Sequence, residues 1–479
     1  MQASDDSGKS GTANNDHGHM NPPADEMPAP KMKRRASLRQ LAAYAAGFLG
    51  ALVLVGASLI LLLGGAIVDS YGRKKVERAF DQAHPGSMLR IGKLDFSLRA
   101  NCLVAHSVTL SATNQTLKVD RILLTGVRWI KFLWGNATLV DVLAQARLDA
   151  TNLDLQFHQA QYGIRCARLQ ASLPASELIA EGTELRTTVG DAAFFAAHDF
   201  RTTRFHVLVP ECKVLGLAYG EVLQGKSYRA HSVQCSSPTL EALVDRDKPT
   251  AQLLEPRLMV NEALAAIPLP LQIDHLSISN GHLRYCEQLV AGADPGVLTI
   301  SSVDLSADGI ANRGDTSAAI LVRAQGRLMD AATLKVVMSI AIAPKDFSLH
   351  YTGSLGAMDL TTLDAFLDTA EHIRIKSGAA QEAAFEVDVV AGQAHGHVLA
   401  IYTNLQIALL DSQSGSEKGF ENYFASFLAN MLKIRNSNVP GAPGSMKEGE
   451  INYARKPEDV FQQYAWFALR PGVLDVIRQ

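Results

Sequence analysis

The sequence is poor in everything that usually marks a reaction centre. It has no H-E-x-x-H, no P-loop and no G-x-S-x-G, and no G-x-G-x-x-G follows a strand pattern and opens a helix. Five cysteines (Cys102, Cys166, Cys212, Cys235 and Cys286) include no CxxC pair, which argues against a structural zinc site. The 14 histidines are dispersed. His275 and His282 are expected on either side of a tight turn at Asn280-Gly281, and His395 and His397 flank Gly396 in the same way, where exposed polar residues are ordinary. The residues therefore name no catalytic group, no cofactor-binding group and no metal ligand, and the chain is expected not to be an enzyme. Excess charge is missing too: the formal net charge is -3, and the basic residues are not clustered with aromatics, so nucleic acid is not an expected partner. Asn114-Gln115-Thr116 and Asn136-Ala137-Thr138 match the glycosylation sequon, a match that arises often by chance.

Long apolar runs are also scarce, with one exception. Residues 41–68 carry no charged side chain. At about 1.5 Å of rise per residue, this run exceeds a hydrocarbon core of about 30 Å. It is too long for the apolar region of a cleaved signal peptide. A core helix would show a polar face, and this one shows almost none, so a retained membrane anchor is expected. Lys31, Lys33, Arg34, Arg35 and Arg39 precede it, whereas the basic residues after it are diluted by Asp69, Glu77 and Asp81. That bias places the N-terminal side in the cytoplasm and the large C-terminal part across the membrane. The organisation expected is a disordered tail at 1–40, a transmembrane helix at 41–68, a juxtamembrane linker at 69–87, a β domain at 88–412 and a helical cap region at 413–479.

What the sequence has in abundance is alternation. Leu94, Phe96 and Leu98 alternate with polar residues, as do Leu153, Leu155 and Phe157, then Phe205, Val207 and Val209, then Leu215, Leu217 and Tyr219. The longest run is Leu334, Val336, Met338, Ile340 and Ile342. Period two over such lengths marks strands with one buried and one wet face. Roughly eighteen to twenty strands are expected on this pattern, joined as successive antiparallel hairpins with turns at Asn280-Gly281 and Asn312-Arg313-Gly314. Helices are sparse. Short ones are expected at 127–135 and at 361–369, the latter with Thr361 and Asp364 as a capping box, and longer ones at 418–434 and 457–469. The aromatic face of the 418–434 segment either covers an end of the sheet or meets a lipid surface. Segments 211–219 and 227–235 read as a hairpin that puts Cys212 opposite Cys235, and Tyr219 opposite Tyr228, so a Cys212–Cys235 disulfide is a candidate.

One apolar helix followed by the stretch 91–157 (IGKLDFSLRANCLVAHSVTL…ATNLDLQF), the segment IDHLSISNGHLRYCE at 273–287, and GHVLAIYTNLQIALL at 396–410 resemble the AsmA-like family. The resemblance covers most of residues 41–479. It implies a bacterial inner-membrane protein with its large part in the periplasm, linked to outer-membrane biogenesis. It also implies kinship in architecture with TamB-like and bridge-like lipid transfer proteins, in which strands form a curved groove with an apolar interior. The expected fold class is mainly β: an extended, curved antiparallel sheet with a few short capping helices behind one transmembrane helix. Membrane lipids and envelope proteins are the expected partners, and Val336, Met338 and Ile340 the expected lipid-facing residues. The alternative is an envelope scaffold that binds proteins and carries no lipid.

Overall fold

The computed structural model describes residues 70–84, 86–97, 99–129, 131, 138–250, 256–290, 292–313, 318–342, 347–410, 434–441 and 446–479. The anchor at 41–68, the tail, the aromatic segment at 418–433 and most of the short helix expected at 127–135 lie outside these residues. Among the described residues no helix is long and apolar enough to cross a membrane.

The described chain is mainly β. Eighteen strands form a single sheet. Pairings run in sequence order: β1 (Ser87–Ser97), β2 (Cys102–Ala112), β3 (Gln115–Thr125), β4 (Arg147–Phe157), β5 (Tyr162–Ser172), β6 (Glu177–Thr187) and β7 (Thr203–Leu215). β7 then pairs with both β8 (Tyr228–Ser236) and β9 (Thr239–Asp245), which lie end to end as one rung broken at Ser237-Pro238. β10 (Leu271–Gln288) follows, then β11 (Gly296–Ala311), β12 (Ala319–Leu328) and β13 (Ala332–Ala341). β14 (Leu349–Leu355) and β15 (Met358–Asp359) share one rung against β16 (Ile373–Val390), and β17 (Gln393–Leu409) and β18 (Glu448–Ala454) complete the sheet.

The expectation of an all-antiparallel sheet needs correction. β10 runs parallel to β8 and β9. A parallel neighbour cannot be reached by a hairpin, and the connection 246–270, with helix Val260–Ala265, supplies the crossover. The sheet thus has two antiparallel tracts joined at one parallel seam; one core cluster is drawn mainly from the first tract but takes in Cys286 of β10, and the other lies in the second tract.

Further corrections are local. Asn280-Gly281 is no turn: β10 continues through it, with Asn280 in the left-handed region at φ 51°. Gly396 likewise lies inside β17, and the turn before it is at Ala391-Gly392. β7 stops at Leu215, where Gly216 adopts φ 65°, and Tyr219 opens a helix (Tyr219–Leu223) instead of facing Tyr228. The capping box expected at Thr361 gives way to Asp359, whose carboxylate accepts from the Thr361 N–H at the head of a 3-10 turn, Leu360–Leu363, that leads into helix Asp364–Ala370. The last helix is Phe461–Ile477, not 457–469, and continues through Pro471. Residues 456–459 form a turn closed by the Asp459 carboxylate, which accepts from the Lys456 N–H. Residues expected as a linker form helix Ser70–Ala83.

That helix has a specific task. The Leu89 N–H donates to Asp81 Oδ1 at 3.0 Å, and the Ile91 N–H to Glu77 Oε1 at 2.8 Å. Both amides belong to the edge strand β1. At the other edge, the Glu450 N–H of β18 donates to Asp475 Oδ2 of the last helix at 3.2 Å. Unpaired edge amides are templates for unwanted strand pairing, and helical carboxylates occupy two of them on β1 and one on β18.

Candidate functional site

The feature that organises the sheet is a transverse crease. In a plain strand, inward residues recur at every second position. Here they recur at i, i+2, i+5, i+7: Leu89, Ile91, Leu94 and Phe96 in β1, Leu103, Ala105, Val108 and Leu110 in β2, and Leu117, Val119, Ile122 and Leu124 in β3. A slip of one residue would normally send the second half of each strand to the opposite face. It does not, because alternate strands carry a left-handed residue at the slip: Ser107 (φ 52°), Asn152 (φ 52°) and Gly182 (φ 59°), then Ser237 (φ 48°) between β8 and β9. The positions that skip pairing form one row across the sheet: Gly92, Ser107, Asp120, Asn152, Ala167, Gly182 and Pro210. Because every strand slips at the same row, the ladder stays one-to-one on both sides. Proline cannot donate to a ladder, and Pro210 sits where the ladder skips a pair. The row continues through Asn280 and Ser302 and ends between β11 and β12. There Ser302 and Val303 oppose Gly326 alone, a bulge. A Cβ on Gly326 would come within 2.7 Å of Ile300 Cγ2, so the bulge packs against bare backbone. β12 and β13 pair without a break.

Burial along this crease changes abruptly. In β2 to β5 its flanking inward residues (Ala105 and Val108, Val119 and Ile122, Ala150 and Leu153, Cys166 and Leu169) are all 4% exposed or less. Phe80, Val127, Trp129, Val142, Leu143, Phe194 and Phe195 belong to the cluster that covers them. From β6 onward the side chains nearest the crease are half-buried, although Gly281 beside Asn280 is buried. Ala180 and Thr183, Val209 and Cys212, Cys235 and Leu240, Ile278 and Leu283, and Ile300 and Leu305 form the strip, which continues into Ala324 and Val336. Beyond it the face closes again. Ile320, Ile340, Tyr351 and Val387 are 3% exposed or less, in a cluster shared with Met259 and with Tyr464 and Ala468 of the last helix. A half-covered apolar strip therefore spans β6 to β13 between two closed ends.

The three expected lipid-facing residues divide across this boundary. Val336 lies in the strip, Met338 is half-buried and packs against the second core cluster, and Ile340 is 3% exposed within that cluster. Cys212 faces Cys235 across β7 and β8, in the strip, and the two are joined as a disulfide with Cα atoms 4.2 Å apart. Cys102, Cys166 and Cys286 are free.

Ionic contacts tie the helices and turns to the sheet and to one another. Arg246 Nη1 donates to Glu287 Oε2 at 2.6 Å and to the Ala370 carbonyl at 2.8 Å, and Arg470 Nη2 to Glu371 Oε1 at 2.9 Å. Burial pushes the Glu371 carboxyl above its ordinary range, although Arg470 and Arg246 pull against it. Arg455 reaches across from the turn after β18 to Glu262 in the crossover helix, with both contacts at 2.9 Å. Burial acts to raise the Glu262 carboxyl, but Arg455 and the Met259 N–H outweigh it, and the net direction is down. Sequence reasoning missed the crease and these contacts. The crease had a signal, the repeated two-three-two spacing of apolar residues; the ion pairs, spanning more than 90 residues in two cases, had none. No protein-family model matches the chain, and no curated protein matches it.

Proposed function

We propose that the chain is a non-enzymatic envelope protein of the AsmA-like kind, anchored in the inner membrane by residues 41–68, whose β domain holds or passes lipid chains along the half-covered strip. One observation carries this reading: the apolar flanks of the crease lose their cover from β6 to β13 while the sheet continues unbroken. All the described strands belong to one sheet. An acyl chain laid along it gains about 0.8 kcal/mol per CH₂ removed from water. The test is to purify the full chain, extract it with organic solvent and analyse for phospholipid, with a photo-crosslinker at Met338. Co-purifying lipid that crosslinks there supports the reading. Well-folded protein that neither yields lipid nor crosslinks ends it.

The second reading, a protein-binding scaffold, draws on the opposite face. Val390, Val337 and Leu208 are 68%, 44% and 41% exposed there. Lipid-free protein that retains an envelope partner through these residues favours the scaffold.

A further inference from the structure

The outward face of β14, β16, β17 and β18 gathers a set of side chains that neither reading uses. Two adjacent rows of the ladder are involved. In one, His350 of β14 faces Asp388 of β16, which faces His395 of β17. In the next, Glu386 of β16 faces His397 of β17, which faces Glu450 of β18. Side chains two apart on a strand share a face, and directly opposed ones have Cβ atoms about 4.5–5.5 Å apart. Three imidazoles and three carboxylates are thus brought together from four strands.

We propose that this cluster binds a divalent transition-metal ion of the zinc type, ligated by His350, Glu386 and Asp388, with a fourth ligand from the His395-Gly396-His397 strand. Ligand atoms of His350, Glu386 and Asp388 already lie within 4.8 Å of one another, and His350 Nδ1 is 2.8 Å from Asp388 Oδ1. Ligands at about 2.0–2.2 Å from a tetrahedral zinc are roughly 3.4 Å apart, so gathering them takes an ångström or so of side-chain movement. These side chains are largely exposed and free to make it, whereas the backbone beneath is held. Tyr351, Val387, Val389 and Val398, on the opposite face of the same strands, are 4% exposed or less. Mixed imidazole and carboxylate donors suit zinc-like ions better than calcium or magnesium, which prefer oxygen alone.

Charge separates this cluster from the His275–Asp308 pair. His275 also meets Asp308, at 2.7 Å, but there Arg323 contacts the same carboxylate at 3.2 Å. Neither of the two rows carries a Lys or Arg on β13, β14, β16, β17 or β18, and no Lys or Arg among the described residues makes an ion pair with Glu386, Asp388 or Glu450. With neutral imidazoles the cluster bears three uncompensated negative charges, a repulsion that a bound dication relieves.

The test uses the tag-free full chain with His17→Gln and His19→Gln, because the tail's own His17-Gly18-His19 offers a competing pair of imidazoles. Equilibrium dialysis against Zn²⁺ alone should give one tightly bound ion per chain. His350→Ala and Glu386→Gln, both at the outer surface, should each weaken binding at least tenfold with an unchanged far-ultraviolet spectrum. Co²⁺ in place of zinc should give visible d–d bands without a thiolate charge-transfer band. Absence of a stoichiometric ion, binding that survives both substitutions, or a thiolate band pointing to the free cysteines would each overturn the assignment.

Discussion

Gly182 and Pro210 stand opposite each other where the β6–β7 ladder skips a pair. One supplies a left-handed backbone and the other needs no donor, so the two least strand-like residues of the region meet at the one row that wants them. Gly182→Val would force a branched side chain into φ 59°, with its Cβ 3.0 Å from the Ala167 Cβ. A loss of about 1–3 kcal/mol is expected, the cost of a strained left-handed residue. Pro210→Ala should change little. Denaturant unfolding of both variants checks this, and equal stability for the two would count against the crease as a required feature.

The Cys212–Cys235 bridge closes a loop with a sequence separation of 23. Cys235→Ser should cost about 3 kcal/mol by the loop-entropy relation. Peptide mapping without reductant should recover the two residues in one linked species and leave Cys102, Cys166 and Cys286 as free thiols. Recovering Cys212 alkylated in the wild type would remove the bridge from the native state.

Substitutions along β13 should separate packing from occupancy. Ile340→Asp places a charge in a core cluster, where burying an unpaired carboxylate is costly. It should lower the yield of folded protein sharply. Val336→Asp, in the half-covered strip, should leave a folded chain from which lipid and the Met338 crosslink are lost. If Val336→Asp unfolds the domain as Ile340→Asp does, Val336 is ordinary core and the strip is not a lipid path.

Acid stability should track Glu262. Its carboxyl is lowered below the ordinary glutamate value of 4.5, so its contribution is complete above that pH and is lost as the pH falls through the folded-state value. Glu262→Gln should therefore lower stability at neutral pH by about 1.5–3 kcal/mol, the range for hydrogen bonds to charged groups. The variant should also lose stability less steeply as the pH falls below 4.5. Parallel acid limbs for the two proteins would show that Arg455 and Glu262 are not coupled to folding.

Orientation of the proposed anchor is checked by a reporter fused after Gln479 that is active only beyond the inner membrane. Activity is expected from the basic residues at 31–39. An inactive fusion expressed at normal level would reverse the topology and with it the proposed site of action.

Strand content was legible because alternation depends only on which residues meet water. Eighteen strands fall within the number that alternation suggests, and the pairing of Cys212 with Cys235 follows from local hairpin register. Asn280-Gly281 misled for a physical reason. The same left-handed preference that makes a two-residue turn also makes a crease, and nothing local says whether the chain reverses. The parallel seam at β10 was hidden because its partners are separated by the crossover at 246–270. Val336 and Ile340 look alike in the alternating run. What distinguishes them is the last helix, more than a hundred residues away in the chain, which shares its cluster with Ile340.

The carboxylates on the outer amides of β1 and β18 bear on how such a protein can change its reach over evolutionary time. Any strand appended at either end would have to displace Glu77 and Asp81, or Asp475, from the bonds they hold. A second copy joined end to end meets the same obstacle. Longer or shorter versions of this chain should therefore arise by gain or loss in the interior, in pairs of antiparallel strands that preserve the direction of every neighbour. Both helical ends should persist unchanged in each of them.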